Sequence, residues 1–226
     1  METHHPLDQV ALAAGIDQLA RVDADVARAL ARIGYPAPRQ QPAGFATLLR
    51  IMTAQQLSTR SAAAIWGRLQ AALAPEVTAE SFLALDEAAL RAIGLSGRKM
   101  DYGRSLALAV MEGRLDLEAL AHGPEEAAIL AISALHGFGR WSAEIYLLFA
   151  LGRTDVWPAD DLALQIGMQR LKGLEARPNR SRMDALGEPW RPWRGPGALF
   201  LWHLYRAATL DEAPAPVPIA AATETG

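Results

Sequence analysis

The chain has 226 residues, 51% of them hydrophobic and 21% charged, a balance typical of a folded globular protein with a sizeable core. It contains no cysteine, which excludes disulfides, thiolate zinc sites, cysteine nucleophiles and cysteine-ligated iron–sulfur clusters. Its formal net charge of −3 argues against coating nucleic acid by bulk electrostatics, so any nucleic-acid binding must be local.

Helices are the predicted elements along most of the chain. Apolar residues recur at three- and four-residue steps from Val10 to Ile33, which is the period of an amphipathic helix. The same pattern continues almost to the end, while β-branched residues are sparse and alternating runs are hard to find. The sequence therefore predicts an all-α fold without a strand.

Breaker residues divide the predicted helices. In chain order they form a Pro-rich loop at 34–44, Gly-containing turns at 94–97, 122–124 and 136–139, and an irregular Pro-rich segment at 173–197. Residues 211–226 are rich in Pro and Ala and lack periodicity, which predicts a disordered tail. Because neither a signal-peptide pattern nor a transmembrane stretch is found, we expect a cytoplasmic protein without a membrane partner.

The turn in "LHGFGRWSAE" (135–144) has a sequence suited to binding an anion. Gly137 and Gly139 allow a tight turn with positive φ and leave backbone N–H groups pointing outward at the start of the next helix. Such a nest suits one phosphate group. By itself, however, a Gly-x-Gly turn is more often an ordinary connection between helices.

Two adjacent carboxylates, Asp160 and Asp161, follow in "DVWPADDLALQ" (155–165), between a Trp-Pro turn and an apolar run. An acid directly before an apolar helix is most often an N-cap that accepts backbone N–H bonds. A cap also holds its carboxylate in place, so the structural and the chemical interpretation are compatible. The local sequence leaves both open.

Taken together, these two stretches resemble the helix-hairpin-helix, Gly/Pro-Asp superfamily of DNA glycosylases, in which an L-x-G-x-G hairpin precedes an essential Asp. Asp161 lies 22 residues after Gly139, which is close to the family's spacing. The segments 45–69 and 91–110 look like the N-terminal blocks of the alkylpurine branch, the 3-methyladenine DNA glycosylase II type. The ordered blocks span residues 40–210, so the resemblance is more specific than either motif.

The resemblance implies a two-lobed helical glycosylase fold with the active site in the cleft between the lobes. Residues 1–210 are then one catalytic unit, in which residues 35–125 form one lobe, and residues 1–34 with 126–210, including the hairpin 135–142, form the other. The residues before the first family block are too few for the N-terminal β-rich domain of longer members, so a compact form is expected.

The resemblance also implies the chemistry. Asp161 is the matching catalytic carboxylate, which stabilises a cationic, oxocarbenium-like sugar and orients or deprotonates a water, while Asp160 caps or orients. Family members that also cleave the backbone have a lysine at the position of Trp141. Because Lys99 and Lys172 are the only lysines and neither lies in the hairpin, we expect a monofunctional enzyme that uses water.

The target base must leave the helical stack, which calls for a pocket and for a wedge that replaces the base. The residues implied for the base pocket are Trp141, Tyr146 and Trp202, whose rings would attract a cationic alkylated purine. The wedge is assigned to Gln56 or Leu57 in "AQQLS". From the local sequence alone, the aromatic residues are as consistent with core positions, and Leu57 with a buried helix end.

Contacts with DNA phosphates are assigned to Gly137, Gly139 and Arg140 of the hairpin and to Arg98 and Lys99. Each of these cations is individually as consistent with a solvated helix face. No cofactor and no metal site are expected, although a monovalent cation at the hairpin stays open. The expected partner is double-stranded DNA containing alkylated bases, bound by a monomer in the bacterial nucleoid.

The function implied is excision of alkylated purines in base excision repair, chiefly 3-methyladenine and in addition 7-methylguanine or ethenoadenine. Two alternatives stay open. One is a noncatalytic helix-hairpin-helix module that binds damaged DNA, and the other is a glycosylase of the same superfamily that acts on oxidised guanine or uracil.

Overall fold

The structure is a computed structural model that describes residues 7–211, with side chains described as far as residue 207. Within this range the chain forms thirteen α-helices and one 3-10 helix, without a strand. The elements are α1 (Gln9–Val22), α2 (Ala24–Ile33), α3 (Phe45–Ala54), α4 (Thr59–Ala72), α5 (Ala79–Ala84), α6 (Glu87–Ile93), α7 (Gly97–Met111), α8 (Leu117–His122), α9 (Glu125–Ser133), α10 (Arg140–Phe149), α11 (Leu162–Lys172), α12 (Arg180–Gly187), η1 (Glu188–Trp190) and α13 (Arg194–Asp211). The all-α prediction is confirmed.

The apolar period over residues 10–33 belongs to two helices, because Asp23 interrupts it. Asp23 has an extended backbone with φ −137°, and its side chain accepts the backbone N–H of Asp25 as the N-cap of α2. The Asp23 carboxylate also accepts bonds from Lys172 Nζ at 2.6 Å and from Trp190 Nε1 at 2.9 Å. A short polar side chain that bonds its own backbone favours a cap over a continuous helix.

The segment 173–197 is more regular than its prolines indicate. It contains α12, η1 and the start of α13. Asn179 caps α12 by accepting the Arg182 N–H at 2.9 Å, and Pro189 lies in the first turn of η1. Proline is tolerated in a first turn, where its missing N–H would have had no partner in the helix. The prediction of an irregular segment is therefore wrong in part.

Helix packing divides the described chain into two groups that meet at α10. In the first group, α3 packs on α4 and α7, α5 packs on α7, and α4 packs on α6. In the second, α11 packs on α13, and α1 packs on both α2 and α13. Helix α10 packs against α9 and against α3 of the first group. Its Phe149 also contacts Trp202 of α13 in the second group, so α10 lies at the border between the groups.

None of the helices between residues 7 and 211 is long and apolar enough to span a membrane. The predicted tail, residues 211–226, lies outside the described residues apart from Asp211, which ends α13.

Candidate active site

A cavity of about 930 Å³ lies where the two groups of helices meet; it is called the active-site cavity below. Loop 38–41, α3, α10 and α13 contribute most of its walls. The lining residues are Pro38, Arg39, Gln40, Gln41, Thr47, Arg50, Ile51, Ala54, Thr59, Trp141, Ile145, Phe149, Ala163, Trp202, Tyr205 and Arg206.

Asp161 is fixed beside this cavity by three N–H donors. It is the N-cap of α11, and its Oδ1 accepts the backbone N–H of Leu164 at 2.8 Å. The same oxygen accepts the indole N–H of Trp202 at 2.8 Å, and Oδ2 accepts the indole N–H of Trp141 at 3.0 Å. A carboxylate offers about four lone-pair sites, so one acceptor site, on Oδ2, remains for a ligand or a water.

Two of the three residues predicted for the base pocket line the cavity. Trp141, in the first turn of α10, and Trp202, in α13, present their rings there and direct their N–H groups to Asp161. Trp202 also packs on Phe149, with 5.6 Å between the ring centroids. Helices α10 and α13 thus bring two aromatic rings to the carboxylate at the start of α11. Their role toward a base stays a prediction.

Tyr146 belongs to the core and not to the cavity wall, so its assignment to the base pocket is corrected. Its side chain is fully buried, and its hydroxyl accepts the backbone N–H of Gly44 at 2.9 Å. Five residues along an α-helix correspond to a rotation of roughly 140° from Trp141. The cavity face of α10 instead continues through Ile145 and Phe149, at four and eight residues from Trp141.

The predicted wedge residues lie in the exposed turn between α3 and α4. Gln56 has φ 57°, and within residues 7–211 it is the one non-glycine residue with positive φ. Leu57 beside it is 38% exposed, so the buried helix end that the local sequence also allowed is not formed. Strained backbone of this kind costs about 1 kcal/mol or more and concentrates at functional sites. The choice between the two residues stays open.

Two side chains brace this turn against the hairpin. Gln55 Nε2 donates to the Gly137 carbonyl at 3.0 Å and to Ser142 Oγ at 3.1 Å. Lys99 Nζ donates to the carbonyls of Thr53 at 2.6 Å and Gln55 at 2.8 Å. Lys99 therefore satisfies the C-terminus of α3, which replaces the predicted phosphate contact. The sequence showed Gln55 only as one of two adjacent glutamines, with no signal that separated them.

The hairpin presents open backbone at the start of α10. Gly139 is the N-cap of α10. Within the described part of the chain no side chain caps this helix, and a Cβ built on Gly139 meets no atom within 4 Å. Gly137 has φ 87°, and a Cβ there would lie 2.1 Å from the ring of Tyr102. The turn therefore needs glycine at 137 for geometry, while 139 is open toward solvent. Phosphate binding by this backbone stays a prediction.

The Arg140 side chain pairs with carboxylates in this structure, and its assignment to DNA phosphate stays a prediction. Its Nη1 and Nη2 donate to the two Glu126 oxygens at 2.9 and 3.0 Å, and its Nε donates to Glu144 Oε1 at 2.9 Å. These bonds use three of the five guanidinium N–H donors, so a phosphate would share Arg140 with Glu126 and Glu144. Arg98, at the start of α7, is exposed and stays a candidate.

Glu144 was not identified from the sequence and is an unusual acid in the structure. It is 2% exposed, and its Oε2 has no hydrogen-bond partner among the described residues. Burial raises the pKa of the Glu144 carboxyl to about 7, despite the opposing effect of Arg140. In the sequence "RWSAEIYLL" Glu144 looks like an ordinary charged residue of an apolar helix. Its burial becomes evident only from the packing of the folded chain.

Asp160 and Asp161 have separate roles. Asp160 is exposed and forms an ion pair with Arg180, whereas the capping of α11 belongs to Asp161. The predicted capping role of Asp160 is therefore wrong, and its contact is with a surface cation.

Residues 49–192 match the model of the HhH-GPD superfamily of base excision DNA repair proteins. DNA-3-methyladenine glycosylase 1 of Schizosaccharomyces pombe is 32% identical over 167 residues, which are 73% of each protein. The structure of the S. pombe 3-methyladenine DNA glycosylase Mag1 in complex with abasic DNA aligns with a TM-score of 0.78 and 28% identity, over 89% of this chain and 100% of that chain. The DNA-3-methyladenine glycosidase of Bacillus halodurans aligns with a TM-score of 0.76 and 27% identity, over 92% and 94%. The chain belongs to the HhH-GPD superfamily of base excision DNA repair proteins.

Proposed function

We propose that the protein is a monofunctional DNA glycosylase that excises alkylated purines, 3-methyladenine among them, by hydrolysing the N-glycosidic bond in duplex DNA. The observation that carries the proposal is the fixed Asp161 carboxylate beside a cavity walled by Trp141 and Trp202. Relatives and structural neighbours named for 3-methyladenine support the class of base.

The cavity supplies what a base outside the helical stack needs. A flipped purine requires flat apolar surfaces for stacking, and the indole rings of Trp141 and Trp202 provide them. The hairpin and the turn between α3 and α4 lie on the same side of α10, joined through Gln55. A wedge at that turn and a phosphate contact at the hairpin would therefore act as one unit on the DNA.

Asp161 carries the chemistry. As the bond between the sugar C1′ and the base nitrogen lengthens, positive charge develops on the sugar and the electron pair leaves with the base. A carboxylate that is already oriented stabilises this charge without reorganisation at the moment of reaction. The acceptor site left on Oδ2 can hold a water, accept its proton and direct its oxygen to C1′, which completes the hydrolysis.

The chain has no amine suited to the lyase reaction, which needs a lysine nucleophile. Trp141 replaces the lysine of bifunctional relatives and is a ring without nucleophilic nitrogen. Lys99 Nζ binds the carbonyls at the end of α3, and Lys172 Nζ forms ion pairs with Asp23 and Asp25. Since these are the only lysines, hydrolysis by water is the reaction left.

The direct test is to incubate the protein with methylated duplex DNA, to separate the released bases by chromatography, and to treat the DNA with alkali afterwards. We expect free alkylated purines and strand breaks that appear only after alkali. Binding to damaged duplex without release of any base would instead indicate a noncatalytic module. Strand cleavage without alkali would contradict the monofunctional reaction.

Three further features are proposed with the activity. The protein acts as a monomer, because the cavity and Asp161 are built within one chain. It needs no cofactor, since Asp161 and a water suffice for the hydrolysis. It acts in the cytoplasm at the nucleoid, where its DNA substrate lies.

A further inference from the structure

The active-site cavity brings charges of both signs to one place. Arg39 and Arg206 line it. The Asp161 carboxylate borders it, because both of its indole partners, Trp141 and Trp202, belong to the cavity wall. A carboxylate and aromatic rings together attract a positively charged ligand. The site therefore favours a cation, and the free protein places one of its own there.

That cation is the Arg39 guanidinium, which lies against the Trp202 ring. Its guanidinium carbon is 5.6 Å from the ring centroid, which is a cation–π contact. The side chain is half-buried, and burial lowers the pKa of Arg39, as does the positive charge of Arg206. The negative charge of Asp161 acts in the opposite direction and raises this pKa. Arg39 is thus a cation stacked on Trp202 and attracted by the catalytic carboxylate.

Arg39 can be displaced without the loss of a hydrogen bond. Among the described residues, none forms a hydrogen bond or an ion pair with its guanidinium. Arg50 differs, because its Nη1 donates to Gln41 Oε1 at 2.6 Å. The positive charge of Arg206 also makes the position of Arg39 less favourable. Only the ring and the attraction of Asp161 therefore hold Arg39 in the cavity, and another cation can replace both.

We infer that Arg39 is a specificity-determining residue, which occupies the place of the stacked base in the free protein and biases the cavity toward positively charged alkylated purines. The inference rests on the proposed glycosylase function. A base that stacks on Trp202 displaces the guanidinium from the ring and from the neighbourhood of Asp161. A cationic base restores both attractions, whereas a neutral base loses them. Arg39 therefore disfavours neutral purines, undamaged ones included, by about tenfold.

The test compares the full-length wild-type protein with Arg39→Met and Arg39→Lys. Methionine keeps length and packing on the ring but removes the charge, whereas lysine keeps the charge. Single-turnover release is measured from two duplexes of one sequence, which contain either 7-methylguanine, a cation in DNA, or the neutral ethenoadenine. We expect Arg39→Met to lower the ratio of the 7-methylguanine rate to the ethenoadenine rate about tenfold. Arg39→Lys should hold it within about threefold.

Binding gives the same comparison without the reaction. The two bases are placed on a 2′-fluorinated sugar that resists hydrolysis, and each affinity is divided by that for an abasic-site duplex, which has no base to meet Arg39. Arg39→Met should lower the ratio of the 7-methylguanine affinity to the ethenoadenine affinity about tenfold. Affinity for the abasic-site duplex should stay within about threefold. A loss of tenfold or more there would make Arg39 a phosphate ligand and overturn the inference.

An unchanged ratio in Arg39→Met would also overturn the inference, as would an equal fall in both variants. A rise of the ratio would show that Arg39 repels cationic bases, which contradicts it as well. If the wild type releases no alkylated purine, the proposed function fails, and the affinities of the fluorinated duplexes still decide what Arg39 does. If it releases bases and the ratio stays fixed, only the Arg39 inference fails.

Discussion

Trp202 donates its indole N–H to Asp161 Oδ1 over 2.8 Å, and the same oxygen accepts the backbone N–H of Leu164 at 2.8 Å. One carboxylate oxygen thus serves both the start of α11 and a ring from α13. Among the donors of residues 7–211, Oδ2 is bonded to the Trp141 indole alone. The arrangement divides the carboxylate into a structural oxygen and an oxygen available for chemistry.

Replacing Trp202 by Phe tests that division. The variant keeps an aromatic face but removes one donor to a charged acceptor, which is worth about 1.5–3 kcal/mol. We expect single-turnover base release to slow by about tenfold or more, while affinity for an abasic-site duplex changes by less than about threefold. Trp202→Phe acting at the wild-type rate would mean that the indole N–H does not position Asp161.

The two hairpin glycines form a matched pair. At Gly137 a Cβ would lie 2.1 Å from the Tyr102 ring and the residue would need φ near 87°, so Gly137→Ala is expected to lower the unfolding free energy by about 2 kcal/mol. At Gly139 a Cβ meets nothing within 4 Å, so Gly139→Ala should leave stability within about 0.5 kcal/mol. Denaturant titration measures both.

The same pair separates folding from DNA binding. Because the Gly139 backbone is proposed to face a phosphate, Gly139→Ala should weaken abasic-duplex affinity by about fivefold or more although it folds normally. Unchanged affinity in this variant would argue that the start of α10 does not approach the DNA backbone.

The raised pKa of Glu144 predicts that the free energy of unfolding depends on pH. Its folded-state pKa of about 7 lies above the ordinary value of 4.5, so the folded protein keeps this proton over a range in which the unfolded chain has released it. The contribution of Glu144 is therefore fully present below pH 4.5 and is lost as pH rises toward 7. Glu144→Gln should flatten the fall in unfolding free energy over this window, by about 3 kcal/mol at most.

Glu126 is the control for that experiment, since it bonds the same arginine but is exposed. The hydrogen bonds from Arg140 hold the pKa of Glu126 below its usual value, so this acid is ionised in both states between pH 5 and 7. Glu126→Gln should leave the slope in that range unchanged. Equal slopes for wild type and Glu144→Gln would show that Glu144 does not titrate there.

The wedge role of the turn between α3 and α4 can be tested by comparing base release from paired and unpaired sites. Gln56, whose positive φ fixes the direction of its side chain, should matter when a base must be extruded from a paired duplex. We expect Gln56→Ala to slow release about tenfold from a fully paired site and less than threefold from a bulged, unpaired one. If Leu57→Ala shows this pattern and Gln56→Ala does not, Leu57 is the wedge.

Much of the fold and part of the site follow from the sequence because they depend on local patterns. Apolar spacing predicted the helices, and an acid before an apolar run predicted a cap at this place, although the cap is formed by Asp161 and not by Asp160. Helical spacing could also have excluded Tyr146, since Ile145 and Phe149 share the face of Trp141 and Tyr146 does not. The sequence alone did not indicate which face of α10 borders the cavity.

The remaining features depend on contacts between distant segments. Arg39 lies in the Pro-rich loop 34–44 and reaches a ring more than 160 positions later in the chain, which no periodicity encodes. Lys99 has the sequence context of a surface cation, but the carbonyls at the end of α3 accept its donors. Long side chains such as these find partners through tertiary packing, so their roles appear only in the folded chain.

Asp161→Asn tests the central claim most directly. The amide keeps the size of the side chain and an oxygen for the cap, but it loses the negative charge beside the sugar. We expect single-turnover release of alkylated purine from duplex DNA to fall by about 100-fold or more, with abasic-duplex affinity within about threefold of wild type. The matched variant Asp160→Asn, at an exposed acid paired with Arg180, should react within about twofold of wild type. Asp161→Asn releasing base at nearly the wild-type rate would contradict the assignment of Asp161 as the catalytic carboxylate.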